Sequence, residues 1–68
     1  MSKEQILGAI LRSGWLLERA VDGVSQVFIF RPRGGGGACV TPVFNSRALR
    51  RMRARVYRSP GQLGVCFS

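Results

Sequence analysis

Phe44-Asn-Ser-Arg47-Ala-Leu-Arg-Arg-Met-Arg-Ala-Arg-Val-Tyr-Arg58-Ser-Pro-Gly61 is the stretch whose period decides the fold. Phe44, Ala48, Met52 and Val56 recur every four residues with Leu49 beside them, which predicts an amphipathic helix over about residues 43–57 with an apolar stripe for a sheet. Thr41-Pro42 reads as an N-cap with proline at the first helical position, Asn45 is the alternative start, and Ser59-Pro60-Gly61 ends the helix. On this reading Arg47, Arg51, Arg55 and Arg58 form a stripe beside the apolar one. Arg50 and Arg53 widen the cationic face, and Tyr57 lies near its end.

Upstream, Ser2 and Gln5 have capping-box spacing, and Ile6, Leu7, Ile10 and Leu11 share one face. A helix over about 3–13 is expected, stopped by Gly14. From Trp15 the period changes to alternation, and Asp22-Gly23 separates two such runs. A hairpin over about 15–31 with a two-residue type I′ turn follows. Gly34 to Gly37 read as a linker, residues 38–41 as a short third strand, and the tail 59–68 as an edge strand through Leu63, Val65 and Phe67 or as coil. The expected architecture is α+β, in the order α-β-β-β-α, with two helices packed on one face of a small antiparallel sheet. The 68 residues form one domain, and no internal repeat is visible.

Composition removes several functions. A chain this short buries only about 60% of its unfolded surface, which argues against a deep enzyme cleft. It contains no histidine, so the commonest general base and metal ligand is missing. The carboxylates Glu4, Glu18 and Asp22 show no paired spacing, and Ser25, Ser46 and the cysteines have no histidine to activate them. Cys39 and Cys66, far apart and outside a CxxC, read as small apolar residues rather than a metal site or a disulfide. A non-enzymatic protein without metal or cofactor is expected. The longest apolar runs, Ile6 to Leu11 and Val27 to Phe30, fall short of the roughly 20 residues a membrane helix needs, and the first is a poor signal-peptide core. A cytoplasmic protein with no membrane partner is the reading.

The charge is uneven. Met1 to Phe30 holds three basic and three acidic side chains, whereas Arg31 to Ser68 holds eight arginines and no acid, so the whole formal +8 resides in the second half. On one helix, the pairs Arg47/Arg50, Arg47/Arg51, Arg50/Arg53, Arg51/Arg55 and Arg55/Arg58 would repel at a summed cost of roughly 1 to 2.5 kcal/mol. An anionic partner would relieve that cost; a merely solvated face is the plain alternative. Ten arginines to one lysine suit planar contacts to phosphate or carboxylate, although a GC-rich coding sequence inflates arginine, glycine, alanine and valine together. Arg31 and Arg33, flanking Pro32 beside the glycines, are expected at the sheet end near the second helix, extending the track; an ordinary hairpin connection is the plain reading of that loop. The glycine run is no phosphate-binding P-loop, because no Lys-Ser or Lys-Thr follows it. Phe28, Phe30 and Trp15 read as core rather than as base-stacking groups, which leaves Tyr57 as the aromatic available for a contact.

The short helix, Gly14-Trp15 opening a strand, a tight hairpin, a strand ending in Val40-Thr41-Pro42 and a closing helix together resemble the HicA-type mRNA interferase toxins. More distantly, they resemble the double-stranded-RNA-binding domain. The resemblance spans about Lys3 to Val56. HicA-like toxins carry a catalytic histidine after a Gly-Ser on the hairpin, where this chain has Gly23-Val24-Ser25-Gln26, so the resemblance implies a binding-only relative. The closing helix also lacks the Lys-Lys-x-Ala-Lys pattern of the RNA-binding domains. In size and basicity the chain is similar to small accessory proteins of phages and other mobile elements. Three functions are open at this point. The first is a nucleic-acid-binding module, DNA or RNA, using Arg31, Arg33, Arg47, Arg50, Arg51, Arg53, Arg55, Arg58 and Tyr57. The second is a phage-type effector docking the same residues on an acidic host protein or nucleoprotein, and the third a toxin-like ribonuclease. A homodimer is compatible with each.

Overall fold

A computed structural model describes residues 1–34 and 39–68. The elements are α1 (Lys3–Arg12), β1 (Trp15–Asp22), β2 (Gln26–Pro32), α2 (Ser46–Arg51), β3 (Ala54–Ser59) and β4 (Gln62–Phe67). The four strands form one antiparallel sheet in the order β1-β2-β4-β3, so the chain is an α+β domain with a small antiparallel sheet.

α1 starts where its cap chemistry directs. The Gln5 N–H donates to Ser2 Oγ and the Ser2 N–H to Gln5 Oε1 (2.7 Å), closing the capping box. Ile6 and Ile10, one turn apart, are fully buried. Gly14 takes φ +92°, a conformation that disfavours any side chain, and its carbonyl accepts from the Arg33 N–H at 2.8 Å, tying the start of β1 to the end of β2.

The first hairpin forms, but its turn differs from the expected type I′. Asp22 pairs with Gln26, leaving Gly23, Val24 and Ser25 as a three-residue loop in which Gly23 keeps negative φ. The Gly23 N–H donates to the Ser25 carbonyl instead. A register shift between Leu17 and Arg19 leaves Glu18 as a bulge on the edge strand, a device that discourages further strand pairing.

The larger difference lies between residues 43 and 67. The helix expected over 43–57 is confined to Ser46–Arg51, and residues 54–59 form β3. Asn45 rather than Thr41 is the N-cap, its Oδ1 accepting from the Arg47 and Ala48 N–H groups at 2.9 and 3.3 Å. Arg53, at φ +56°, then turns the chain. Ser59-Pro60-Gly61-Gln62 is a hairpin turn joining β3 to β4, with Gly61 at φ +73°, matching the proline-then-glycine order of a type II turn. The tail is thus a strand, and β4 lies inside the sheet between β2 and β3. Cys39, Val40 and Thr41 form no strand. Ala38 and most of the expected Gly34–Gly37 linker lie outside the described residues; Gly34 itself has φ +67°.

One face of the sheet carries the core. Phe30 of β2, Leu63, Val65 and Phe67 of β4, Ala54 of β3 and Trp15 of β1 are buried with Ile6 and Ile10, and Leu7 of α1 and Leu49 of α2 pack on the same cluster. Both helices therefore cover one face, and Phe28 and Phe67 meet edge to face at 5.9 Å there. The Phe44, Met52 and Val56 stripe reaches this core as well, but from a loop, a helix cap and a strand. Cys39 and Cys66 are free thiols, and Cys39 Sγ donates to the Gly14 carbonyl. No helix among the described residues is long and apolar enough to cross a membrane.

Candidate functional site

Dividing residues 46–59 between a short helix and a strand redistributes the arginines. Arg47, Arg50 and Arg51 are exposed on α2, where only Arg47/Arg50 and Arg47/Arg51 keep helical neighbour spacing. Arg53 occupies the turn, and Arg55 and Arg58 project to opposite sides of β3, because successive strand residues alternate. The continuous stripe Arg47, Arg51, Arg55, Arg58 expected of one helix does not exist.

Two cationic ends take its place. At one end, Arg50, Arg53 and Arg55 line a single cleft of about 490 Å³ with Ser46, Leu49, Ala54 and Ser68, and Arg47 and Arg51 are exposed on the same helix as Arg50. The Ser68 N–H donates to the Arg53 carbonyl at 3.2 Å, which fixes the floor of this cleft to the end of β4. Arg53 holds a left-handed conformation that costs a side-chain-bearing residue roughly 1 kcal/mol and that glycine accepts freely. None of Glu4, Glu18 and Asp22 lies on α2, β3 or β4. The three arginines thus line one cleft with no acidic side chain from their own elements.

At the other end lie Arg31, Arg33 and Arg58. The register runs antiparallel from Gln26↔Phe67 and Ala54↔Phe67 at the α2 end to Phe30↔Leu63 and Arg58↔Leu63 at the far end. Arg31 and Arg33 therefore sit away from the second helix rather than beside it, contrary to expectation. Arg58 lines a shallow recess there with Trp15, Pro32, Cys39 and Thr41.

Between the two ends runs the sheet face that no helix among the described residues covers. Pairing register places two full rows across it, Arg19, Ile29, Gly64 and Tyr57, then Val21, Val27, Cys66 and Arg55; at the far end Leu16 pairs with Arg31 and Gln62 with Ser59, beyond the last β2–β4 pair, as a third row. The centre is apolar and half-buried, the arginines stand at its margins, and no residue paired in these rows is acidic, although the bulged Glu18 shares Arg19's place opposite Ile29. Tyr57 is 54% exposed. A shallow concavity of about 300 Å³ lies beside it, lined by Val27, Ile29, Gly64 and Cys66. Gly64 keeps this hollow open, since a Cβ there would stand 3.6 Å from Ile29 Cδ1 and 3.8 Å from Tyr57 Cβ.

Of the residues singled out from sequence, the fold brings Arg47, Arg50, Arg51, Arg53 and Arg55 to one end, Arg31, Arg33 and Arg58 to the other, and Tyr57 to the open face between them. Trp15, Phe28 and Phe30 are in or against the core, as expected. Sequence reasoning missed Arg19, Ile29 and Gly64. The signal was present in β2, where Val27, Ile29 and Arg31 alternate with Phe28 and Phe30, so both faces of the strand carry apolar residues. No protein-family model, characterised protein or solved structure matches this chain.

Proposed function

We propose that this protein is a non-catalytic nucleic-acid-binding module. The observation that carries the reading is the cleft lined by Arg50, Arg53 and Arg55, with Arg47 and Arg51 on the same short helix as Arg50 and no acidic side chain on α2, β3 or β4. Planar guanidinium groups grouped this way suit phosphate oxygens, to which they donate paired hydrogen bonds. The choice of Arg at position 53, where glycine would be conformationally easier, supports a role for its charge. Arg31, Arg33 and Arg58 supply a second set of phosphate contacts at the far end of the sheet, and the overall charge of +8 adds steering.

Arginines on the edge strand β3 also deter edge-to-edge pairing. That role accounts for Arg55 and Arg58 but not for the three residues on α2. The test is binding of a labelled oligonucleotide at increasing salt. Each phosphate neutralised contributes a slope of about −0.7 for single strands or −0.9 for duplex in log K against log salt. The Arg50→Ala/Arg53→Gly/Arg55→Ala variant is expected to bind weakly and to flatten that slope by about 2 or more. Binding unchanged in the variant, or no binding by the parent protein at low salt, overturns the proposal. An acidic protein captured in nuclease-treated lysate through these same arginines, with no oligonucleotide binding, supports the effector reading in its place.

A further inference from the structure

We infer that the uncovered sheet face receives a single nucleic-acid strand, with one base stacked beside Tyr57 in the hollow over Gly64 and the phosphates running between the two arginine-rich ends. This rests on the nucleic-acid reading above and narrows its substrate to unpaired strands.

An unpaired strand presents flat, weakly polar base faces and a regularly charged backbone, and proteins bind it by combining stacking platforms with cationic tracks. The open face supplies both in one surface. Tyr57, exposed and with only two side-chain torsions to fix on binding, stands in the same row as Gly64 and Ile29. The missing side chain at Gly64 leaves a low floor between the Tyr57 Cβ and the Ile29 Cδ1 methyl group, within the shallow concavity beside Tyr57. Arg55 is two residues from Tyr57 on the same strand face, roughly 7 Å away at strand rise. Arg31 and Arg19 stand on the opposite margin, on β2 and β1. Arg55 and Arg31 lie in rows four residues apart along the strands, about 13 Å. Tyr57 is the one aromatic among these rows, so the face offers a stacking platform for a single base.

Charge complementarity distinguishes this occupant from a second copy of the chain. Stacking two such faces would bring Arg19, Arg31 and Arg55 of each copy against the same set on the other, three cations against the single carboxylate of Glu18 in the bulge beside Arg19. A duplex is also a poor fit, since its base faces are already stacked and only its backbone could meet the apolar centre.

The experiment compares three labelled probes by fluorescence anisotropy at low salt: a ten-nucleotide uridine strand, a ten-nucleotide thymidine strand and a ten-base-pair DNA duplex. The proteins are the parent chain, Tyr57→Leu and Gly64→Val. Gly64 has no positive φ and a Cβ there makes only ordinary contacts, so Gly64→Val fills the hollow without backbone strain. Both variants are checked for the parent's circular dichroism. The expected result is that each variant weakens single-strand binding by about 5- to 100-fold, the range of one lost base stack, and leaves duplex binding within about twofold. Equal loss on duplex and single strands, or no loss on either, overturns the inference while leaving the cationic site intact. Failure of the parent chain to bind any probe overturns the nucleic-acid reading itself. Sedimentation of the parent as a dimer that Gly64→Val converts to monomer assigns the face to a second copy and overturns the inference.

Discussion

The two faces of this sheet are built from the same strands and do opposite things. On one, Phe30, Leu63, Val65 and Phe67 lie under two helices and are almost wholly removed from water. On the other, Val27, Ile29, Gly64 and Cys66 alternate with them residue by residue and remain half-exposed, rimmed by Arg19, Arg31 and Arg55. A fully buried phenylalanine or leucine contributes roughly 1.5–3 kcal/mol from removal of its surface from water, and half-burial a correspondingly smaller amount. Stability is therefore concentrated on the covered face, which leaves the uncovered face free to carry residues chosen for contact.

The largest effect expected from breaking that contrast is Phe30→Ala, which removes a side chain 1% exposed at the centre of the covered face. A loss of about 3–5 kcal/mol is expected, enough to unfold a domain of this size at room temperature. Its neighbour Ile29, one residue away and facing the other side, is the control. Ile29→Ala is expected to cost no more than about 1.5 kcal/mol, as read by urea denaturation, and equal losses at the two positions would erase the distinction between the faces.

A second contrast separates α2, which presents charge, from α1, which anchors the core. α2 has six residues and no fully buried side chain, so its local order leans on Asn45. Asn45→Ala should cost about 1 kcal/mol of global stability, with faster amide exchange at Arg47 and Ala48, whose N–H groups lose their acceptor. The smallest expected effect is the most informative about purpose. Arg53→Gly is expected to leave stability unchanged or raise it by up to about 1 kcal/mol, because glycine accepts the left-handed backbone, while oligonucleotide binding falls. A variant that is more stable and binds less well marks Arg53 as held for its charge.

How far the fold was legible depends on how many periods a segment satisfies. α1 was readable because Ser2, Gln5, Ile6 and Ile10 fit a helix and nothing else. The segment ending in Val56 was ambiguous because apolar residues four apart lie on one face of a helix and also on one face of a strand. Phe44, Ala48, Met52 and Val56 cannot distinguish the two periods. The deciding signals were local: the β-favouring Val56-Tyr57 and the Pro60-Gly61 pair poised between two alternating runs, with Leu63, Val65 and Phe67 as the second. Asp22-Gly23 promised a two-residue turn, yet the pairing of Asp22 with Gln26 placed the loop one residue later. At the site, charge density marked the arginines, but only sheet register could place Arg55 and Arg31 on one face with Tyr57 and send Arg58 to the other side.

The most direct test of the account is the salt dependence of single-strand binding by the unaltered protein. If the cleft of Arg50, Arg53 and Arg55 neutralises even three phosphates, log K should fall against log salt with a slope of about −2 or steeper. Measurable affinity at low salt with that slope is the expected result. A flat dependence, or no affinity at the lowest salt, contradicts it.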